Sequence, residues 1–387
     1  MRRYSASPDG LGRRVAPPQV RSEQISGLPD YAFDSRWQWA ALLLLGLTAI
    51  ARLASLRSVA IAPEAVTLLG WPGRLAFANS VEGPLAGFIL RVGGLFAGSG
   101  YLALNSVELA ASLCTLQCGY VLARRLFSPL TGVLVVALIA LSPLVELGSK
   151  IAACDPLLLL FWSLAVVWLE RALFAERRAE QNRAWTIAGL VTGLGGLASH
   201  GMLLLPLCYF LFLLVSPTHR IWLRRSQTYL AFLFVPLIVS GIHWRFDPKG
   251  WIFVQSLNVG WRATDAPLHR LGEMGGAQAL IVGPVQFFGA LITALKSLFL
   301  NDRAAGAQRC RFLACAGLPV IALIYLVGLM WIPPSNWTTC ATLPLTVLWA
   351  GWLTTWAGRS RRDAVLAFSL AVVACAVSLF LTFVALR

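Results

Sequence analysis

Long apolar segments separated by short polar ones recur along the chain, and this pattern predicts a bundle of membrane-spanning helices. Crossing the hydrocarbon core of a bilayer takes roughly 20 apolar residues in a helix, and about eleven segments reach or approach that length. We therefore expect an all-α polytopic membrane protein. Its predicted spans lie at 37–53, 104–123, 129–147, 156–173, 185–199, 201–216, 228–243, 276–300, 312–332, 339–357 and 364–384.

Composition leads to the same class of protein and excludes others. Of the 387 residues, 58% are hydrophobic and only 13% are charged, whereas a soluble globular chain has about 25% charged residues. The net charge of +15 comes from cations in short loops between apolar segments. That arrangement is typical of topology signals and lipid-headgroup contacts rather than of a nucleic-acid interface. We expect membrane lipid as a partner and no nucleic acid.

The polar segments divide the chain into a tail, a membrane domain and two long loops. Residues 1–36 hold no long apolar run and are predicted to form a disordered cytoplasmic N-terminal tail. Residues 37–387 form the predicted transmembrane domain, with loops at 55–83 and 244–275 on the outer side. The segment 84–100 is apolar but interrupted by an arginine and several glycines, which favours a re-entrant or interfacial piece.

The distribution of arginine predicts the orientation. If the N-terminus is cytoplasmic and the spans alternate, the short inner loops carry most loop cations, among them Arg124, Arg125, Arg177 and Arg178. An excess of Lys and Arg on the cytoplasmic side is the usual rule for membrane proteins. We predict a multi-pass protein of the bacterial inner membrane, with both long loops facing the periplasm.

Several motifs, in a shared order, resemble the polytopic GT-C glycosyltransferases of family 39. That family includes lipid A aminoarabinose transferases and protein O-mannosyltransferases. The motifs are Tyr-Val-Leu-Ala-Arg-Arg-Leu-Phe at 120–127, Leu-Ser-Pro-Leu at 141–144, Asp-Pro followed by an apolar run at 155–162, Gly-Leu-Gly-Gly-Leu-Ala-Ser-His at 193–200, Asp-Pro-Lys-Gly-Trp-Ile-Phe at 247–253 and Ser-Asn-Trp at 335–337.

The resemblance implies a GT-C-like fold and a chemistry. Such an enzyme moves a sugar from a polyprenyl-phosphate donor to a lipid, glycan or protein acceptor on the outer face. An acidic residue in the first outer loop acts as the general base on the acceptor hydroxyl, and cations offset the charge of the leaving phosphate. Many members carry a soluble domain after the spans, and we expect none here. No cofactor is implied with certainty, and a divalent metal ion is left open.

Three positions depart from the pattern of the resembled family. Its Asp-Glu pair in the first outer loop reads Pro63-Glu64, a common Arg is replaced by Glu108, and a Lys by His200. Because proline cannot accept a proton, Glu64 is the candidate catalytic base. The departures also leave a second interpretation open. The chain would then be a catalytically silent relative serving as a structural subunit of a larger complex, with other integral membrane subunits as partners.

Two acids and one histidine are candidate substrate-binding residues, each with an ordinary structural explanation. Glu82 is a loop carboxylate that would contact the acceptor or a divalent cation. Asp155 precedes a proline at the start of a span, which is common N-cap chemistry, and the resemblance places it near the donor headgroup. His200 would contact the donor phosphate in place of the family's lysine, or it is a structural histidine.

The remaining candidates lie in the predicted outer loops. Lys249 and Arg262 are cations that would hold a lipid phosphate or anchor to headgroups. Asn336 opens a span beside a tryptophan, as an interfacial belt residue or as a substrate contact. None of the eight cysteines has the spacing or the paired histidine of a zinc site, so we expect no metal site of that kind.

Overall fold

The computed structural model describes residues 35–55, 84–97, 101–143, 155–234, 241, 267–301, 306–329 and 335–385. Within these ranges the regular elements are helices and there is no β-strand, so the predicted all-α class is confirmed. The α-helices are α1 (Ser35–Ser55), α2 (Pro84–Ala97), α3 (Tyr101–Leu126), α4 (Pro129–Ala140), α5 (Asp155–Phe174), α6 (Arg178–Ala198), α7 (Leu204–Val215), α8 (Ser226–Tyr229), α9 (Pro267–Val282), α10 (Pro284–Leu298), α11 (Ala307–Cys315), α12 (Leu318–Gly328), α13 (Thr339–Ala357) and α14 (Arg361–Ala385).

Shorter helical turns join some of these elements. In the described part of the chain, 3-10 helices lie at His200–Leu203, Arg220–Arg224 and Ser335–Thr338, and a π-helical turn follows α8 at Leu230–Phe234. Residues 1–34 of the predicted tail, residues 56–83 of the first loop and residues 244–266 of the second lie outside the described residues, whereas Ser35, Arg36 and Ser55 belong to α1.

Local sequence signals account for several helix starts. Ser128 is extended, its Oγ accepts a hydrogen bond from the Thr131 amide at 3.2 Å, and a proline follows at the first helical position of α4. At α14 the Ser360 hydroxyl accepts a hydrogen bond from the Asp363 amide and donates one to the Asp363 carboxylate. Both caps satisfy amide groups that a helix start otherwise leaves unpaired.

The predicted spans correspond to helices, although their number stays a prediction. α13 covers 339–357 as predicted, and α3, α5 and α14 agree with their spans within a few residues. Among the described residues, four helical segments are long and apolar enough to cross a bilayer: Leu104–Leu126, Pro156–Phe174, Ala307–Gly328 and Arg361–Val384. A fifth span is added if the bent pair α9–α10 is counted as one.

The span predicted at 276–300 is wrong in one respect, because it is broken. α9 and α10 meet at an angle of 109°. Gly283 between them has φ +98°, a conformation that side chains disfavour, and Pro284 starts α10. The Ser142 hydroxyl donates hydrogen bonds to the Ile281 and Val282 carbonyls at the end of α9. Gly283 and Pro284 therefore end one helix and begin the next. The periodicity of apolar residues did not reveal this break.

Burial is arranged as expected for a protein surrounded by lipid. The core contains large aromatic side chains with almost no exposure, among them Trp162, Phe212 and Trp349. Large apolar side chains of α14 face outward, and Phe368 is 71% exposed. Some polar side chains are buried instead, as at α10 and α13, where Gln286 Nε2 donates to Thr346 Oγ1 at 2.8 Å. Interhelical hydrogen bonds of this kind join membrane helices.

Contacts join the helix ends that the sequence assigns to the same side. At the predicted inner side, Arg125 near the end of α3 pairs with Glu170 near the end of α5, and Arg309 of α11 donates to the Leu126 carbonyl. At the predicted outer side, Ser142 meets the end of α9 and Thr382 of α14 donates to the Leu141 carbonyl. The alternation of the spans is supported, whereas the assignment of one side to the cytoplasm stays a prediction.

Candidate functional site

The first turn of α5 is where the elements carrying several predicted site residues meet. Leu157 forms a buried cluster with Ala86 of α2 and Ala111 of α3. The next residue, Leu158, packs against the 3-10 turn that begins at His200: a Cβ built on Gly201 would lie 3.1 Å from Leu158 Cδ2. We call this region the outer junction. It consists of Leu157 and Leu158 in the first turn of α5 together with Ala86, Ala111 and Gly201.

The His200 turn is held by backbone and by packing. Ser199 is extended and donates its amide to the Gly195 carbonyl at 2.8 Å, and the Met202 amide donates to the Ser199 carbonyl. Met202 is fully buried and approaches Gly195 so closely that a Cβ there would lie 2.6 Å from Met202 Cγ. His200 itself is 8% exposed. The turn therefore presents a largely buried imidazole at the outer junction.

The 3-10 helix Ser335–Thr338 closes the other side of this turn. The Cβ position of Gly201 lies 3.1 Å from Trp337 Cδ1 as well as from Leu158. The Trp337 carbonyl accepts a hydrogen bond from the Cys340 thiol, which ties the 3-10 helix to α13. Trp337 is thus a packing residue of the outer junction, and the residue before it in the chain is Asn336.

The structure places the predicted site residues unevenly. Glu64, Glu82, Lys249 and Arg262 lie outside the described residues. Asp155 opens α5, and Asn336 lies in the 3-10 helix beside Trp337, but the side chains of these two residues are outside the described part of the chain. Of the seven candidates, His200 is the one whose side chain is described. The structure brings together the elements that carry Asp155, His200 and Asn336.

One pair of polar residues was not recognised as a pair from the sequence. Asn105 and Glu108 lie one turn apart on α3 and are 8% and 2% exposed. The sequence analysis noted Glu108 only because it replaces an arginine of the family pattern, and it did not name Asn105. The signal was present, because two polar side chains three residues apart share a face of an otherwise apolar helix.

A second polar cluster lies at the predicted inner side and is structural in character. Arg125 Nε lies 2.7 Å from Glu170 Oε2, and His219 Nδ1 lies 2.8 Å from Ser216 Oγ, which also donates to Gln308 Oε1 at 2.6 Å. The His219 ring packs edge-on against Phe174. Burial lowers the pKa of His219 to about 4, and a hydrogen bond to the Leu173 backbone offsets part of that shift. This imidazole is neutral at pH 7.

The described residues give no sign of a resident metal ion. No three His, Cys, Asp or Glu side chains come close enough together in the described ranges to hold one. What the outer junction offers is hydrogen bonding: the His200 ring, and on the adjacent face of α3 an amide and a carboxylate.

Comparison of sequences identifies relatives of the central part of the chain. Residues 81–244 match a family described as dolichyl-phosphate-mannose-protein mannosyltransferase. An undecaprenyl phosphate-alpha-4-amino-4-deoxy-L-arabinose arabinosyl transferase of Pseudomonas aeruginosa is 29% identical over 153 residues, which is 39% of this chain and 27% of that protein. Its counterpart in Pseudomonas paraeruginosa is 29% identical over 161 residues, 41% of this chain and 28% of the relative. The matched segment thus spans little more than a quarter of either relative.

Comparison of structures extends the likeness to most of the chain. ArnT from Cupriavidus metallidurans bound to undecaprenyl phosphate superposes with a TM-score of 0.67 at 13% identity, covering 88% of this chain and 64% of that one. The archaeal oligosaccharyltransferase AglB from Archaeoglobus fulgidus, in complex with an inhibitory peptide and a dolichol-phosphate, superposes with a TM-score of 0.58 at 14% identity. The superposition includes 90% of this chain and 56% of the AglB chain.

These similarities agree with the sequence motifs. The family match includes the Arg-Arg, Ser-Pro, Asp-Pro and Ser-His motifs that carried the resemblance, and the structural likeness shows the fold at identities too low to show more. The chain has a GT-C-like fold, and its residues 81–244 are similar to glycosyltransferases of the family 39-like kind.

Proposed function

We propose that the chain is a membrane glycosyltransferase that takes a sugar from a polyprenyl-phosphate donor and passes it to an acceptor on the periplasmic face. The observation that carries this proposal is the outer junction. There the first turn of α5 meets the His200 turn and the 3-10 helix of Asn336. These motif-bearing elements lie far apart in sequence, and their convergence at one end of the bundle is what a headgroup site requires.

The proposed reaction uses one base and one leaving group. The acceptor hydroxyl attacks the anomeric carbon, the bond from that carbon to the phosphate oxygen breaks, and polyprenyl phosphate leaves. Glu64 takes the proton of the hydroxyl as general base. Asp155, His200 and Asn336 hold the donor headgroup, Lys249 and Arg262 offset the phosphate charge, and Glu82 contacts the acceptor.

Transfer by the purified protein tests this proposal. The protein in nanodiscs is supplied with radiolabelled undecaprenyl phosphate-linked sugars and a bacterial lipid extract, and release of undecaprenyl phosphate is measured. We expect Glu64→Gln to lower the rate at least about a hundredfold, the usual contribution of a general base. Glu176→Gln is the matched control, because Glu176 is exposed beyond the opposite end of α5. Equal rates for wild type and Glu64→Gln would remove Glu64 from the mechanism.

The alternative function is that of a structural subunit without catalysis. It is favoured by Pro63, which stands where the resembled family has an acid. Purification in mild detergent at native expression, followed by mass spectrometry, separates the two. Bound polyprenyl-phosphate sugar without fixed partners supports the transferase. A constant set of partner subunits with no bound donor supports the structural role.

The proposed orientation has its own test. We place the N-terminus in the cytoplasm of a bacterial inner-membrane protein, so the outer junction faces the periplasm. Single cysteines introduced at Leu268, exposed on α9, and at Arg359, exposed after α13, are labelled in intact cells with a maleimide that does not cross the membrane. The native cysteines are first replaced by serine or alanine. Labelling at position 268 and not at 359 is expected; the reverse pattern overturns the orientation.

A further inference from the structure

Three arginines from three different helices surround one carboxylate at the predicted inner side of the bundle. Arg125 of α3 forms an ion pair with Glu170 at 2.7 Å, and Arg171 of α5 and Arg309 of α11 also act electrostatically on that carboxylate. Among the described residues, no second carboxylate forms an ion pair with any of the three. We call Arg125, Arg171 and Arg309 the inner arginine cluster. Its three cations face one acid, so at least two positive charges are uncompensated.

The inner arginine cluster lies at the depth of the lipid headgroups. Each of its arginines is within three residues of the end of a helical segment that is long and apolar enough to cross a bilayer; these segments are Leu104–Leu126, Pro156–Phe174 and Ala307–Gly328. A contact brings two of the ends together, because Arg309 Nη1 donates to the Leu126 carbonyl at 3.2 Å. The guanidinium groups are therefore at the edge of the hydrocarbon core, where phospholipid phosphates lie.

The cluster also keeps hydrogen-bond donors for a ligand. Arg125 donates to Glu170 through Nε, and Arg309 donates to the Leu126 carbonyl through one Nη. The guanidinium of Arg171 lies over the ring of Trp168, with its Cζ 4.6 Å from the ring centroid, and its buried Nε has no hydrogen-bond acceptor among the described residues. A guanidinium carries five N–H donors. All three side chains are only partly buried, so donors that the protein does not use can be reached from outside.

Phosphate is the ligand chemistry that suits this arrangement. Its oxygens accept hydrogen bonds from several guanidinium groups at once, and arginine is the residue best shaped to donate them. A lipid phosphate is favoured over a soluble one because the cluster borders the hydrocarbon core and includes the contact with Trp168, a residue type enriched at membrane interfaces. Two uncompensated positive charges match the two phosphates of cardiolipin, and basic pockets between membrane helices bind that lipid.

We propose that the inner arginine cluster binds the headgroup of an anionic phospholipid, with cardiolipin preferred to phosphatidylglycerol. Its phosphates accept hydrogen bonds from the three arginines, and its acyl chains lie along the apolar surface of the bundle. The site is at the opposite end of α3 and α5 from the outer junction, so this inference does not depend on the proposed transferase function. A lipid bound there links α3, α5 and α11 and stabilises the folded protein.

Lipid binding by the full-length protein tests the proposal. After delipidation in detergent, native mass spectrometry gives the Kd values for cardiolipin, phosphatidylglycerol and phosphatidylethanolamine. We expect wild type to bind cardiolipin about tenfold or more tightly than the zwitterionic phosphatidylethanolamine. The double variant Arg171→Gln/Arg309→Gln should lose this preference. It retains Arg125 and Glu170, so the ion pair between α3 and α5 is kept.

A matched control and a second measurement separate lipid recognition from folding and from overall charge. Arg361→Gln/Arg362→Gln removes the same charge from exposed residues at the start of α14, also on the predicted inner side. This control should keep the preference of wild type. Thermal unfolding is then measured for each protein with and without cardiolipin. The lipid should raise the melting temperature of wild type and of the control but not of Arg171→Gln/Arg309→Gln, and each protein serves as its own reference.

The proposal is overturned if wild type binds cardiolipin and phosphatidylethanolamine equally. It is also overturned if the two double variants lose the preference to the same extent, because overall charge and not the cluster would then govern binding. Inorganic phosphate in large excess is the last arm of the experiment. We expect it to leave bound cardiolipin in place, whereas displacement of the lipid would assign the cluster to a soluble anion instead.

Discussion

Arg125 Nε lies 2.7 Å from Glu170 Oε2, and this ion pair joins the ends of α3 and α5 at the side opposite the outer junction. The Glu170 side chain is 5% exposed and the Arg125 side chain 36%. Arg171 and Arg309 also act electrostatically on the carboxylate. The two helices that frame the outer junction are therefore tied together at their other ends.

Removing the cation of this pair should cost more stability than neutralising the acid. Arg125→Ala leaves a buried carboxylate, whereas Glu170→Gln leaves an arginine whose head can reach water. We expect Arg125→Ala to destabilise by about 2–4 kcal/mol, less than the loss of a fully isolated pair because Arg171 and Arg309 remain, and Glu170→Gln by about 1 kcal/mol. Thermal unfolding in detergent measures both, and the reverse order would contradict the exposure of the two partners.

A methyl group at Gly201 should disturb the outer junction directly. Its Cβ would lie 3.1 Å from both Leu158 and Trp337, so one of the two elements must shift by a few tenths of an ångström. We expect Gly201→Ala to lower transfer about tenfold or more, because small misplacements in a site reduce rate steeply. Gly196→Ala is the matched control, since no atom lies within 4 Å of its Cβ position.

The readout for this pair of variants is the rate of sugar transfer together with the melting temperature. The control should keep its rate and melt at the same or a slightly higher temperature, because alanine favours a helix over glycine. If Gly201→Ala and Gly196→Ala transfer sugar at the same rate, the outer junction is not the site of the reaction.

Gly283 should tolerate no side chain. Its φ of +98° is strained for any L residue, and a Cβ there would clash with the Ser378 hydroxyl of α14. We expect Gly283→Ala to destabilise by roughly 2–4 kcal/mol, combining backbone strain with the clash. Adding Ser378→Gly should recover only the steric part. Gly276→Ala on α9, which has open space around it, serves as the control, and all three are compared by thermal unfolding.

Acid should weaken the cluster around His219. Burial lowers the pKa of His219 to about 4 in the folded protein, whereas the unfolded chain has a pKa near 6.5. Between these values the unfolded state binds more protons, so stability falls as the pH is lowered from about 6.5 towards 4. Partial exposure of the ring limits the loss to about 1–2 kcal/mol.

His219→Gln removes this titration, so its melting temperature should vary less between pH 7 and pH 4.5 than that of wild type. His269→Gln is the control, because His269 is exposed on α9 and lies 3.5 Å from the exposed Glu273 carboxylate. A pH dependence that His219→Gln leaves intact must come from other groups.

The helices could be predicted from the sequence because their signals are local. For example, α13 is a run of apolar residues that ends shortly before Arg359 and Arg361. Its position can be predicted without knowing any contact to residues far away in the sequence. The break at Gly283 was missed because hydropathy averages over the glycine and proline that interrupt the run. The bend depends on Ser142 and Ser378, which lie on other helices.

The candidate site could be predicted only in part. Asp155 and His200 were assigned to the outer side from loop alternation, but their elements meet through Leu158 and Gly201, a contact between residues more than forty positions apart. The same holds for Glu108: its type was visible in the sequence, whereas its burial beside Asn105 follows from the packing of α2, α3 and α5. Pairwise contacts of this range are not encoded in hydropathy.

The close approach of Ser378 to Gly283 also bears on the order in which the protein is assembled. α14 follows α10 by more than sixty residues along the chain, so it emerges from the ribosome well after α9 and α10 have been synthesised. Until α14 arrives, the side of the bend at Gly283 that faces Ser378 lacks its covering helix. Completion of the outer face of the bundle is therefore a late event in biogenesis, dependent on a helix that contributes no candidate residue to the site.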